Sequence, residues 1–437
     1  MRYLYFLVIF FICFCTQACI NKGEEETADD ADVTIRQSKH TTSSKFMSYK
    51  GLVMAGYQGW FNCEGDGADR GWTHYSKNGE FEDGSCTIDY WPEMDEYEVK
   101  YKTPFTFADG SPAYVFSSYD ESTVDLHFRW MNEYGIDGVF MQRFFSVLTS
   151  ENRLNHNDKV LRSAIKAANK YGVAISLMYD IGSMDDSKYQ LVMEDWKHLV
   201  DDLQLTNQGD KTTYLFHNDK PLVAFWGISA GTRESGHIPE IFDIIDFFKN
   251  DPEYGGCSIH LGIPSRWRTL GSDTKGDPRL HDVIEQADVV HPWLVGRYNE
   301  ETYDAYRQEQ IIADIKWCNE RGKSYAPTVF PGFSWYNMKP NEVSDKIPRN
   351  KGEFYWKQIA GAIDSGAEML YIAMFDEIDE GTSIMKCAHE VPKAERSIFV
   401  PIEKELPSDH YLWLTGMAGK MLRGEIPFSK EIPLRTN

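Results

Sequence analysis

The chain has 437 residues, 42% of them hydrophobic, and a formal charge of -22. That is enough sequence for one large core with insertions, and the charge argues against nucleic acid or another polyanion as a partner, since the field repels it. Aromatic residues are 14% of the chain, with 12 Trp. Many stand in polar company, where they stack on the apolar C–H faces of sugar rings or simply fill a large core.

Met1–Cys13 joins one arginine to an apolar run too short for a comfortable membrane span, the pattern of a signal peptide. Thr16-Gln-Ala-Cys19 follows and resembles a bacterial lipoprotein cleavage box, with Thr16 where an aliphatic residue is usual. Cleavage there makes residues 1–19 the signal, lipidates Cys19 and discards Cys13 and Cys15. Residues 20–45 read as a disordered acidic tether, because Asn21–Asp32 is too polar to bury a core. Acids straight after the cysteine also resemble a surface-export signal. The expectation is an extracytoplasmic outer-membrane lipoprotein, held by its lipid and facing the cell surface, with plain secretion as the alternative. Residues 46–437 then form one domain.

Five cysteines follow: Cys63, Cys86, Cys257, Cys318 and Cys387. None has zinc-like spacing. Cys63 and Cys86 share a Gly- and Asp-rich segment, and a bridge between them would contribute about 3 kcal/mol. No His-Glu-x-x-His or calcium-loop pattern occurs. His74, His260 and His291 read as hydrogen-bonded barrel histidines rather than ligands, so neither metal nor cofactor is expected.

Eight apolar runs read as strands: Leu52–Trp60, Ile136–Phe144, Val173–Ile181, Pro221–Ile228, Ser258–Ile263, Val289–Leu294, Tyr325–Phe333 and Met369–Phe375. Helical periodicity fills Val124–Tyr134, Lys159–Tyr171, Gln190–Leu203, Ile238–Asn250, Thr302–Arg321 and Glu353–Ser365, and Gly135, Gly172, Gly322 and Gly366 stand just past four of these. Alternation of this kind defines an α/β protein with a parallel sheet, and eight units predict a (β/α)8 TIM barrel. An open doubly wound sheet is the rival, but no Gly-rich phosphate loop follows the first strand. Asn62–Tyr97 is too long for a barrel turn and reads as an elaborated rim loop.

Barrel active sites lie at strand C-termini. The ends here carry Gln58 and Trp60, Gln142 and Arg143, Tyr179 and Asp180, Trp226, Arg266 and Trp267, His291 and Trp293, Phe333 and Glu377. Gly227-Ile-Ser-Ala-Gly231 matches a nucleophile elbow, yet the polar, turn-like Thr232–Pro239 follows where that motif needs a helix. The eighth run opens into Asp376, Glu377, Asp379 and Glu380 within five residues. Acids crowded at a strand end repel one another, so they are either dispersed in a solvated loop or required by chemistry. A proton donor beside a second carboxylate is what glycosidic-bond cleavage uses.

Phe375-Asp-Glu-Ile-Asp-Glu-Gly-Thr-Ser-Ile384 resembles the signature Phe-Asn-Glu-Trp-x-Glu-Gly-Thr-x-Ile of glycoside hydrolase family 99, endo-α-mannosidases and endo-α-mannanases on (β/α)8 barrels, to which the family 71 α-1,3-glucanases are related. Pro331-Gly-Phe333, Arg349-Asn-Lys-Gly-Glu-Phe-Tyr355, Trp72-Thr-His-Tyr75 and Tyr57-Gln-Gly-Trp60 resemble further segments of that family in the same order. The resemblance implies Glu377 as the base on a sugar 2-hydroxyl, which attacks the anomeric carbon to give a 1,2-anhydro intermediate. It implies Glu380 as the acid on the leaving oxygen and then the base for water. Asp376 stands where the family has Asn, and Ile378 where it has Trp. The expected substrate contacts are Tyr57, Trp60, Trp72, His74, Tyr179, Asp180, Trp226, Trp293, Phe333, Arg349 and Asp376. The expectation is a glycosidase for an oligosaccharide or polysaccharide; the alternative is a non-catalytic glycan-binding lipoprotein on the same barrel.

Overall fold

The computed structural model describes residues 37–230, 236–339 and 341–435. The expected signal peptide, Cys19 and most of the expected tether lie outside the described residues. The tether's last part does not hang free: Lys39 N donates to Glu253 O, Thr41 N to Thr206 O and Lys45 N to Thr212 O. Contacts with the body thus begin before residue 46.

All eight apolar runs are strands of one parallel sheet: β1 (Val53–Tyr57), β2 (Gly138–Phe144), β3 (Ala174–Asp180), β4 (Lys220–Trp226), β5 (Ser258–Ile263), β6 (Val289–Pro292), β7 (Ser324–Tyr325 with Thr328–Val329) and β8 (Leu370–Ile372). Hydrogen bonding runs in order from β1 to β7, and β1 also pairs with β8. The two halves of β7 close the ring, since Ser324–Tyr325 pairs with β6 and Thr328–Val329 with β8. Pro327 interrupts the strand between them, where it has no N–H for the ladder. The fold is therefore a TIM-barrel-like α/β ring, and the doubly wound alternative is set aside.

Burial on both faces explains why the strands read as continuous apolar runs: every residue of Val53–Tyr57 and Ser258–Ile263 is buried. Gly56 shows how tightly the interior is filled. A Cβ there would lie 2.2 Å from Met374 Cε and 2.4 Å from the Tyr371 hydroxyl, so only glycine lets β1 and the end of β8 close together. The expected helices form, and the glycines past four of them adopt positive φ, from 64° at Gly322 to 95° at Gly366. Arg279–Glu285 and His410–Leu422 complete one helix per strand.

The rim elaboration runs from the end of β1 to the helix Glu121–Tyr134 and includes the antiparallel pair Tyr101–Thr106 and Pro112–Val115, so it is longer than Asn62–Tyr97. Its own core is aromatic, with Phe81 between Tyr75 and Trp91. The bridge considered for Cys63 and Cys86 is not present. Both are buried free thiols on different partners, the Phe116 carbonyl at 3.2 Å and Ser397 Oγ at 3.0 Å.

Candidate active site

The loop after β8 is fixed from four directions. Asp376 accepts backbone N–H bonds from Gln58 and Gly59 at 2.8 Å each, which ties it to the end of β1. Gln58 Nε2 then donates to Glu377 Oε1 at 2.8 Å, and Thr382 Oγ1 to Glu377 Oε2 at 2.6 Å. Asp89 N and Tyr90 N, from the elaboration, both donate to Ile378 O. Ser334 N, beyond β7, donates to Glu380 O at 3.0 Å. Gly381 has φ 68°, and a Cβ on it would stand 2.7 Å from Ser334 N, which accounts for the glycine after Glu380. Arg349 Nη2 closes the loop by donating to Gly381 O at 3.0 Å and Ser383 O at 2.8 Å.

No lysine or arginine among the described residues stands within ion-pair distance of the four acids. Among the described residues, the one ion-pair-distance contact they make is His74 Nδ1 to Asp379 Oδ2 at 3.2 Å. Burial, and then the nearby Arg70 charge, push the His74 pKa down to about 3, so the imidazole is neutral. Burial pushes Asp376 up to about 7 against the pull of the Gln58 and Gly59 amides. Burial also raises Glu377, with repulsion from Glu380 and Asp379 added, while Thr382 and Gln58 oppose the shift. Asp379 is raised by burial and by the Asp89 charge. Glu380, the half-buried member, is raised by burial and by Asp379, against the Trp335 indole and Lys339. Close carboxylates cannot all ionise together, so this group shares protons near neutral pH. One carboxyl kept protonated beside another fixed by two donors is an acid–base pair suited to glycosidic cleavage.

Half-buried aromatic rings surround these acids. Trp60 lies flat on His74, with ring centroids 3.7 Å apart and planes 7° apart, and packs on Phe144 at 5.5 Å. Trp226 and Trp293, at the ends of β4 and β6, are 5.5 Å apart, and Trp293 reaches Tyr371 of the eighth strand at 6.4 Å. Phe333 packs on Trp335, which carries Lys339 Nζ 3.6 Å above its ring. Half-buried Asp180 accepts from Gly182 N at 2.9 Å, and burial pushes it up to about 6.

Several expected contacts lie elsewhere. Tyr57 is fully buried and bonded to His127 Nδ1, beneath the site. Tyr179 alternates away from Asp180 on β3 and donates to Asp195 in the layer between sheet and helices. Arg143 joins the same layer, and Trp267 packs on Trp317. Arg349 is buried between Tyr90 and Tyr411 and holds the loop from behind. Asp376, buried on two amides, positions Glu377 through Gln58 rather than facing an open cleft. Trp72 is mostly buried but lines a rim pocket of about 430 Å³ with His74 and Asp379. Trp60, His74, Asp180, Trp226, Trp293 and Phe333 are the half-buried members of the expected set. Residues outside that set also shape the site, namely Gln58, Thr382, Tyr371 and Trp335. Gln58 and Thr382 stood within motifs already singled out, whereas Trp335 carried no sequence signal.

Ser229 is no nucleophile: it is buried and donates to Lys275 O at 3.3 Å. Residues 231–235, which continue that turn, lie outside the described residues. No group of three or more His, Cys, Asp or Glu among the described residues is arranged to hold a metal.

A ring of eight parallel strands with a carboxylate cluster at its C-terminal end defines a TIM-barrel-like α/β protein with its candidate site at the usual end of such a barrel. No family model matches it. It is 22% identical over 310 residues to the glycoprotein endo-alpha-1,2-mannosidase of Mus musculus, covering 69% of this chain and 60% of that protein, and 20% identical over 304 residues to the Rattus norvegicus protein. The chain thus spans about 60% of the length of these curated relatives. Among solved structures, the GH99 endo-alpha-mannosidase of Bacteroides thetaiotaomicron in complex with bis-tris-propane superposes with TM-score 0.61 at 16% identity, over 86% of this chain and 99% of that one. Another structure of that enzyme gives 0.59. The relationship to GH99 endo-α-mannosidases is distant and extends over most of the chain.

Proposed function

We propose that the chain is a glycoside hydrolase that cleaves an α-mannoside-type glycan with retention of configuration, using Glu377 and Glu380. The observation that carries this reading is the arrangement of the two glutamates. They are gathered with two further acids in a loop braced from β1, the elaboration and β7, and no cation among the described residues pairs with them. Such a group costs folding energy, and proton transfer at a sugar is the work it suits.

Glu377 has both oxygens fixed by donors, which orients it as the base on the sugar 2-hydroxyl. That hydroxyl displaces the leaving group from the anomeric carbon and forms a 1,2-anhydro sugar. Glu380, half-buried and raised in pKa, gives its proton to the departing oxygen and then takes one from the water that opens the anhydro ring. Trp226 and Trp293 offer apolar faces on which sugar rings stack.

The N-terminal pattern ending at Cys19 supports attachment to the outer membrane by lipid, with the barrel outside the cell; Cys19→Ala would then lose membrane association. The activity is tested by incubating the full chain with α-mannan oligosaccharides and other glycans. Glu380→Gln should abolish product release on the glycan that the unaltered chain cleaves, while retaining affinity for it. Undiminished turnover in that variant would remove Glu380 from the mechanism. Binding without cleavage by the unaltered chain would instead make it a glycan-binding protein.

A further inference from the structure

We propose that the rim pocket beside His74 is a subsite for an acidic substituent, a sulfate, phosphate or carboxylate, on the glycan. The proposal rests on the glycosidase reading and specifies its substrate class. The pocket, about 430 Å³, is lined by Arg70, Trp72, His74, Thr87 and Asp379 among others, so it abuts the catalytic loop. Arg70 is the notable member. Among the described residues its guanidinium has no ion pair, no hydrogen bond and no aromatic ring beneath it, although it is half-buried. Other arginines placed near acids in this chain are paired, as Arg143 is with Asp195, Arg268 with Asp314 and Arg297 with Asp273.

The charge of the neighbouring Asp66 attracts Arg70, but no ion pair forms between them. Asp66 is already used by Asn62 Nδ2, Cys63 N and Ser117 Oγ at one oxygen and by Ala68 N at the other. Another charge nearby has the same sign as Arg70: Arg153, exposed at the start of the helix Glu151–Tyr171 and donating to the Ser146 carbonyl, repels it. The positive charge of Arg70 also disfavours protonation of His74 and His156. A chain of net charge -22 thus places a guanidinium without an ion pair at the lip of its acidic site. The overall charge still repels a polyanion, but one isolated acidic group in the pocket meets the Arg70 guanidinium, which has no ion pair among the described residues and whose fork suits oxyanions. Neutral His74, stacked on Trp60, lies beside this spot and holds Asp379.

The experiment uses the full chain carrying Glu380→Gln, so that ligand is not consumed, and measures binding of α-linked mannotetraose and of the same oligosaccharide bearing one sulfate per molecule. The sulfated ligand should bind at least about tenfold tighter, as a charge-assisted hydrogen bond warrants, and the preference should shrink as salt rises. Adding Arg70→Gln should erase the preference, whereas Arg70→Lys should keep part of it and so separates charge from folding. Equal affinity for the two ligands, or a preference untouched by Arg70→Gln, overturns the subsite. Failure of both ligands to bind would refute the α-mannoside reading and the subsite together, while equal binding refutes the subsite alone.

Discussion

The acids after β8 and the acids around Arg143 are buried in the same barrel with opposite surroundings. Arg143, fully buried, donates Nε to Asp195 Oδ2 at 2.6 Å, Nη1 to Asn157 at 2.9 Å and Nη2 to Asp158 at 2.9 Å as well as to Asp195 Oδ1. Tyr179 adds a further bond to Asp195 at 2.8 Å. Each charge there has its counter-charge, and the cluster braces β2 and β3 against the helix Gln190–Asp202. Around Glu377 the donors are an amide and a hydroxyl. Glu380 has the Trp335 indole and the Lys339 charge near it but no ion pair among the described residues, and the nearest imidazole is neutral. Compensated burial serves structure; uncompensated burial costs stability and leaves protons free to move.

Opposite responses to substitution would sharpen this contrast. Glu377→Gln should lower kcat by about a thousandfold, within the usual range for a lost acid–base group, yet its melting temperature should hold or rise, because a repelling carboxyl is gone. A fall in both would turn the loop into a structural element. Arg143→Met should do the reverse and cost about 3–5 kcal/mol by stranding Asp195, read by denaturant unfolding. A mild effect there would break the comparison from its other side.

Dependence on pH follows with its sign. Asp376 titrates at about 7 in the folded chain, against about 3.9 when unfolded, and Glu377, Asp379 and Glu380 are shifted the same way. Between these values the native acids bind protons that the unfolded chain releases. Histidines kept neutral by burial, such as His74, add an opposite slope only below about 6.5, so stability should fall as pH rises from about 7 towards 8. Thermal unfolding across that range measures it, and Glu380→Gln should flatten the slope. A rise in stability over this window would contradict uncompensated burial. The smallest effect expected is at Trp293→Ala, where loss of a stacking face worth about 1 kcal/mol should raise KM several-fold with kcat nearly kept.

Much of the barrel was legible because parallel strands buried on both faces are apolar runs of strand length. The break in β7 was not, since it appears only where Pro327 meets two different neighbours. His410–Leu422 escaped notice because it is apolar around most of its surface and carries Gly416 and Gly419, which blur helical periodicity. At the site, the glutamates and Thr382 were readable as one local motif. The roles of Tyr179 and Arg349 were not. Position at a strand end does not say which way a side chain alternates, as Tyr179 and Asp180 show, and a buried arginine that holds two distant carbonyls looks in sequence like one that meets a sugar.

The central claim is that Glu377 and Glu380 act as a pair on one face of the glycan through the sugar's own 2-hydroxyl. The anomeric form of the first product, followed by NMR from the start of hydrolysis, tests it most directly. The account predicts the substrate's configuration in the product first formed, with the other anomer growing in only by mutarotation. An inverted first product would contradict it.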